Sequence, residues 1–281
     1  MIGYNRLGSN GRLGNQMFQY AALRGIAAYH GYEWKVPSPE GHHESNYGLF
    51  DCFKMSGVNA GNLGFVSDRF PTYKANTSTF DENLFNKCPD NCNLHDYFQT
   101  EKYFLHIKDE IKKDFTFKDE YLKPCKEFME QVGDAIFLHI RRGDYVNLQH
   151  YHPLCGMDYY EGALENYSKD INVLVFSDDI EWCAEQKLFD SDRFLLSNDN
   201  DKYAHQHIDG DGQSRRSLVP YTDLCLMSLC SGGIMANSSM SWWGAWLIDN
   251  PTKPIVAPLN WYGPEANVDA SDLIPERWEK V

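Results

Sequence analysis

The chain has 281 residues, 42% hydrophobic and 14% aromatic, enough for one large domain or two ordinary ones with a full core. Its formal net charge of −14 argues against a nucleic-acid partner, which needs clustered Lys and Arg, but leaves room for a nucleotide held by local cations. No run of about 18 apolar residues suggests a membrane span, and the opening residues lack the apolar stretch of a signal peptide.

From the N-terminus, a Gly-rich turn leads into "NQMFQYAALRGIAAYHG", predicted as a helix closed by Gly31. A loop-rich stretch follows over about 37–92, punctuated by Pro, Gly, Asn and Ser. "NLHDYFQTEKYF" then reads as a strand, and "EIKKDFTFKDEYLKPCKEFMEQ" as charged helices running up to a boundary at 132.

Beyond that boundary the pattern becomes regular. "AIFLHI", "NVLVFS", "RFLLS", "GGIMA" and "PIVAP" are short apolar runs of the kind buried in parallel sheets. Predicted helices over 158–167, 181–187, 221–230 and 242–249 separate most of them. The expected architecture is therefore α/β. An N-terminal α/β domain over 1–132 faces a doubly wound domain over 133–281 across a cleft, and the C-terminal tail is placed back on the first domain.

The eight cysteines form no CxxC pairs, so zinc knuckles are not indicated. Cys88 and Cys92 are spaced to close a small disulfide in a secreted chain. Without a signal peptide, the expectation is a soluble cytoplasmic protein with reduced thiols.

Four segments carry candidate chemistry. In "GRLGNQMFQYA", residues 11–21, Gly11 and Gly14 permit a tight turn, and Asn15 opens a helix whose free N–H groups suit an anion or a sugar hydroxyl. In "AIFLHIRRGDYVN", residues 135–147, an apolar strand ends in His139, Arg141, Arg142 and Asp144. Ligands of doubly wound sheets sit at such strand ends, and paired arginines there suit a diphosphate. Adjacent residues on an extended segment point to opposite faces, so one arginine is expected to face ligand and the other to face inward and fix Asp144 or a neighbouring loop. Arg142 is assigned the phosphate. The tripeptide Arg142-Gly143-Asp144 also has the form of an adhesion motif, which is weak evidence at the end of a core strand.

In "VLVFSDDIEW", residues 173–182, Asp178 and Asp179 end another strand. They suit either a helix cap or a metal. In "DLCLMSLCSGGIMANSSMSWWGAWL", residues 223–247, Asn237, Ser238 and Ser239 crowd a helix start that reads as a second phosphate seat. The tryptophans behind it read as core.

"GRLGNQMFQYA", "HIRRGDY" and "NSSMSWWGAWL", with "YFQTEKYF" and "FSDDIEW" between them, resemble the signatures of the α-1,2-fucosyltransferases of glycosyltransferase family 11. The matches run from residue 11 to 247. Arg12 stands where many bacterial members carry glycine, as in the animal enzymes. The resemblance implies a GT-B-like fold of two Rossmann-like domains. It also implies GDP-β-L-fucose as donor and metal-independent, inverting transfer to O2 of a galactose residue in a glycan acceptor.

Carried over by position, Arg142 meets the donor diphosphate and Arg12, Gly14 and Asn15 line the cleft. Arg141, Ser238 and Ser239 accompany the phosphates, while Asp178 and Asp223 are weaker donor contacts. The acceptor-recognition surface is placed in 37–92. The base that takes the acceptor proton is left among Asp144, His139 and Glu101, or no strong base at all. Two other readings stay open. One is a metal-dependent glycosyltransferase using Asp178 and Asp179, or the acidic stretches "NDND" and "DGDG" at 198–201 and 209–212. The other is a non-enzymatic carbohydrate-binding protein that uses its seven tryptophans.

Overall fold

The computed structural model describes residues 1–40, 47–196 and 220–281. The acidic stretches at 198–201 and 209–212, and residues 41–46 of the loop-rich segment, lie outside the described residues. The chain divides into two compact units, one comprising Met1–Lys118 with Val268–Pro275, the other Asp119–Asn267 with Glu276–Val281.

In the first unit, four short strands form a parallel sheet: β1 (Ile2–Gly3), β2 (Trp34–Lys35), β3 (Thr72–Tyr73) and β4 (Cys92–Leu94), in the order β2-β1-β4-β3. Its helices are α1 (Leu13–His30), α2 (Leu49–Cys52), α3 (Glu82–Lys87) and α4 (Lys108–Asp114). Helix α1 is buried over most of its surface, which its run of Met, Phe, Tyr, Ala, Leu and Ile allows. It ends where expected: Gly31 takes a left-handed φ of 67°.

The segment read as a strand over 93–104 stops at Leu94. Phe98 has a φ of 52°, which breaks any extended run, and its ring packs edge-on against Tyr4 and Tyr103. Burial of one aromatic ring here outweighs strand propensity. Cys88 and Cys92 are both free thiols, with their sulfurs 3.7 Å apart.

The second unit contains α5 (Asp119–Val132), β5 (Ala135–Ile140), α6 (Met157–Leu164), β6 (Asn172–Ser177), α7 (Ile180–Ala184) and β7 (Phe194–Leu196). After them come α8 (Pro220–Leu229), β8 (Gly233–Ile234), α9 (Ser239–Leu247), β9 (Ile255–Ala257) and β10 (Glu279–Lys280). The strands form one parallel sheet in the order β10-β9-β8-β5-β6-β7, so β5 and β6 are central. Every residue of β5 is buried. Ile136, Leu138 and Ile140 share one core cluster with Val173 and Val175 of β6 and with Tyr160 and Leu164 of α6. That double-sided burial is why the strand reads as a continuous apolar run.

The units part at 118/119 and not at 132/133 as the sequence suggested. Helix α5 packs on α8: Tyr121 meets Tyr221 edge-on, and Cys125 Sγ donates to the Thr222 carbonyl. The tail also divides, with 268–275 in the first unit and 276–281, including β10, in the second. Among the described residues, no helix is long and apolar enough to cross a membrane.

Candidate functional site

At the carboxyl end of β5 the chain leaves the sheet as Arg141 and Arg142 and enters a 3-10 turn over Gly143–Asn147. The neighbouring strand β6 ends at Ser177, so Asp178 and Asp179 emerge beside them. The four side chains interlock. Arg141 pairs through Nη2 with Asp144 and through Nη1 with Asp178 Oδ2 at 2.6 Å. The other Asp178 oxygen accepts from the Arg142 backbone N–H at 2.8 Å. Arg142 Nε donates to Asp179 Oδ2 at 2.8 Å, and its guanidinium carbon lies 3.9 Å over the Trp182 ring. Among the described residues, nothing bonds the two terminal nitrogens of Arg142.

Asp179 does two jobs. Its Oδ1 caps α7 by accepting from the Trp182 backbone N–H at 3.3 Å, while Oδ2 holds the arginine. Asp178 needs the bare backbone of Gly143. A Cβ there would sit 2.3 Å from Asp178 Oδ2 and displace the carboxylate that bridges both arginines. Two guanidiniums against three carboxylates leave this cluster at a net −1 if all are ionised. Any grip on an anion therefore comes from aimed donors rather than from surplus charge.

The same turn is tied to the start of α9. Tyr145 lies under the Arg141 guanidinium at 5.1 Å, stacks on His152 at 4.6 Å, and donates its hydroxyl to the Asn237 carbonyl at 3.2 Å. Ser238 caps α9 by accepting from the Met240 N–H, and Ser239 beside it is half-exposed. Asn237, read from sequence as part of the phosphate seat, is instead a brace. It is buried, its Nδ2 donates to the carbonyls of Pro153 and Trp261, and its Oδ1 faces Cys155. The tryptophans read as core are core: Trp242 and Trp243 are fully buried, edge-on to each other.

The remaining candidates are placed as follows. In the first unit, Arg12 occupies the N-cap position of α1, exposed and making no capping bond. Gly14 is buried, and the half-buried Asn15 accepts from Gln99 Nε2 at 2.9 Å. Gly11, at a φ of 84°, closes the turn so tightly that a Cβ would fall 2.4 Å from Asn15 Nδ2. Glu101 is buried in a 3-10 turn of that unit. In the second unit, Asp223 opens α8. It is half-exposed by surface yet crowded enough that desolvation pushes its carboxyl up to about 7. Among the described residues it makes no bond to the arginine cluster.

His139 belongs to the core rather than to the open end of the strand. It is 6% exposed, its carbonyl accepts from Tyr160, and among the described residues its Nδ1 has no hydrogen-bond partner. Burial, with a smaller push from the Arg141 charge, lowers its pKa to about 3. A histidine held neutral in this way cannot reach an acceptor hydroxyl from inside the sheet, and it makes folding sensitive to acid. Its folded pKa lies below the unfolded value of about 6.5, so the unfolded chain binds the extra proton. The associated stability is complete above about pH 6.5 and drains away as pH falls toward 3. We expect the protein to lose about 1.5 kcal/mol from this group between pH 6.5 and 5. His139→Leu should remove that loss. Asp223 acts with the opposite sign, its contribution falling as pH rises toward 7, and it cancels in the difference between the two proteins. Urea unfolding at the two pH values checks this, and parallel pH dependence in both proteins would refute it.

Asp178 and Asp179 were left open between a cap and a metal site. All four of their oxygens are engaged by arginine or backbone N–H groups, with Asp179 the cap. The sequence identified the charged members of the arginine cluster but not Tyr145, Trp182 or Gly143. Trp182 was read only as part of a helix, and Gly143 only as part of a tripeptide.

The family model for glycosyl transferase family 11 matches residues 1–279. An Alpha-1,2-colitosyltransferase of Escherichia coli is 30% identical, with 96% of each chain covered. A Galactoside alpha-(1,2)-fucosyltransferase 2 of Hylobates lar is 25% identical over 94% of this chain and 79% of that one. Among solved structures, the NodZ alpha-1,6-fucosyltransferase soaked with GDP-fucose, a protein also solved from Bradyrhizobium, superposes with a TM-score of 0.53. It is 13% identical and covers 89% of this chain and 96% of that one, a likeness that shows the fold to be GT-B-like. With the model matched along almost its whole length, the chain belongs to glycosyl transferase family 11.

Proposed function

We propose that this glycosyltransferase moves L-fucose from GDP-β-L-fucose to O2 of a galactose residue in a glycan, inverting the anomeric carbon to give an α-1,2 linkage. The observation that carries the reading is the state of Arg142. Its Nε and one face are occupied by Asp179 and Trp182, while both terminal nitrogens are left for a ligand. Those two nitrogens suit two phosphate oxygens, because a guanidinium fork matches such a pair in one plane. As the glycosidic bond breaks, negative charge builds on the departing GDP, and a donor already aimed there stabilises it without reorganising.

Ser238, Ser239 and the N-terminus of α9, tied to the same turn through the Tyr145–Asn237 bond, offer neutral donors, and Asp178 positions both arginines. Asp144 is tied up in its pair with Arg141, so proton loss from the acceptor is assigned to a late step that needs no strong base. Charge on the leaving group is met by arginine, and no metal is required in this scheme. A colitose donor is the second reading, favoured by the similarity to the Escherichia coli colitosyltransferase.

The test is product linkage analysis with GDP-fucose and GDP-colitose against lactose, type 1 and type 2 chains, run with and without EDTA. An α-1,2-fucosylated product formed equally well in EDTA is expected, and GDP should bind in the micromolar to millimolar range with UDP far weaker. Better use of GDP-colitose moves the donor to the second reading. Activity lost in EDTA and restored by manganese overturns the metal-free scheme. Glycan binding with no affinity for GDP overturns the enzyme reading.

A further inference from the structure

We propose that Trp182 is a positioning residue for the transfer, acting as the platform that keeps the Arg142 fork open toward the donor phosphates. This rests on the assignment of Arg142 to the diphosphate made above. The guanidinium carbon stands 3.9 Å over the indole, well inside the range of a cation–π contact. The indole is itself supported from behind, since Trp182 is half-buried and packs against the core of the second unit. Its backbone is fixed as well, because its N–H is the one capped by Asp179.

Helix α7 is only five residues long, so this bracket depends on its first turn. One oxygen of Asp179 secures the turn that carries Trp182, and the other secures Nε of the arginine resting on Trp182. The guanidinium is therefore held at one edge and one face, which sets its plane. The two terminal nitrogens are left as the outer edge.

The reason a platform is needed lies in the neighbours. Asp144, Asp178 and Asp179 all stand within the same cluster, and each can accept a guanidinium. An arginine side chain free to swing would turn its fork onto one of these carboxylates, in a bidentate pair that competes directly with a phosphate. Stacking on the indole opposes that rotation, and tryptophan offers the strongest ring face for a cation. A purely structural role makes a different prediction. If Trp182 only filled space, any apolar side chain of adequate size would serve as well as an aromatic one.

The contrast is read with Trp182→Phe, Trp182→Leu and Arg142→Ala, each checked by thermal melting, with GDP affinity from calorimetry and KM and kcat from initial rates. Trp182→Leu is expected to weaken GDP binding and raise KM for GDP-fucose by about 5- to 30-fold, the equivalent of one lost cation–π contact. Trp182→Phe should recover most of this at a similar melting temperature. In an Arg142→Ala background, Trp182→Leu should have no further effect on GDP binding, because the platform then has nothing to hold. If Trp182→Leu fails to fold, Trp182→Met replaces it in the comparison with Trp182→Phe.

Equal GDP affinity in the aromatic and aliphatic variants overturns this inference. So does an undiminished effect of Trp182→Leu in the Arg142→Ala background. Arg142→Ala that binds GDP as tightly as the unaltered protein overturns the underlying phosphate assignment instead. The two failures are thus told apart.

Discussion

Arg142→Lys is expected to lower turnover about 10²–10³-fold while leaving the fold intact, the scale of losing one preorganised donor to developing charge. Lysine keeps the charge but cannot reproduce a planar fork held by Asp179 at Nε and by Trp182 on its face. Arg141→Lys should behave differently. Arg141 spans Asp144 and Asp178 with its two terminal nitrogens, and a single ammonium cannot satisfy both from the same position. Its loss should loosen the turn over Gly143–Asn147, lowering the melting temperature and activity together. Melting temperature and initial rate, measured for both variants, decide the matter. An active Arg142→Lys beside a dead but stable Arg141→Lys would reverse the assignment, and two active variants would remove this strand end from the donor site.

The largest expected effect on stability lies in the other unit. Asp114 is buried and accepts from the Tyr20 hydroxyl at 2.8 Å, from the Gly57 N–H at 2.6 Å and from Arg24. Arg24 also lies over the Trp34 ring at 4.8 Å. Asp114→Ala would leave the largely buried guanidinium uncompensated, with a buried hydroxyl and an N–H short of an acceptor. Removing one partner of such a pair costs about 3–5 kcal/mol. The pair itself need not be stabilising relative to apolar residues, so Arg24→Met combined with Asp114→Leu should recover part of the loss. Urea midpoints for the transition of the first unit, at unchanged slope, measure both effects. A cost below about 1 kcal/mol for Asp114→Ala would show that Arg24 finds water or another acceptor.

Much of the second unit was written in local pattern. Strand β5 is buried on both faces, so its six residues are all apolar apart from His139, and the run announces a central parallel strand without help from the rest of the chain. Gly31 and Ser238 marked helix ends because each meets a local demand, a left-handed residue and a cap to free N–H groups. Of the two roles open to Arg141, Asp144 or a neighbouring loop, the pair with Asp144 needed only neighbours in sequence. The first unit was less legible. Strands β1, β2 and β3 are two residues long, too short to show any period.

Only the tertiary structure could decide how the distant charges pair. Local pattern reports whether a segment is buried, and it says nothing about which distant residue shares that burial. Asp178 and Asp179 reach the arginines because β6 lies parallel to β5 and ends beside it, across 36 and 37 residues of chain. Trp182 comes under Arg142 because Asp179 starts a helix at the end of that strand. Arg24 and Asp114 are 90 residues apart, on two helices that carry no shared motif. The residues capable of holding an anion were therefore visible in the sequence, whereas the orientation that leaves the Arg142 fork open is a product of folding.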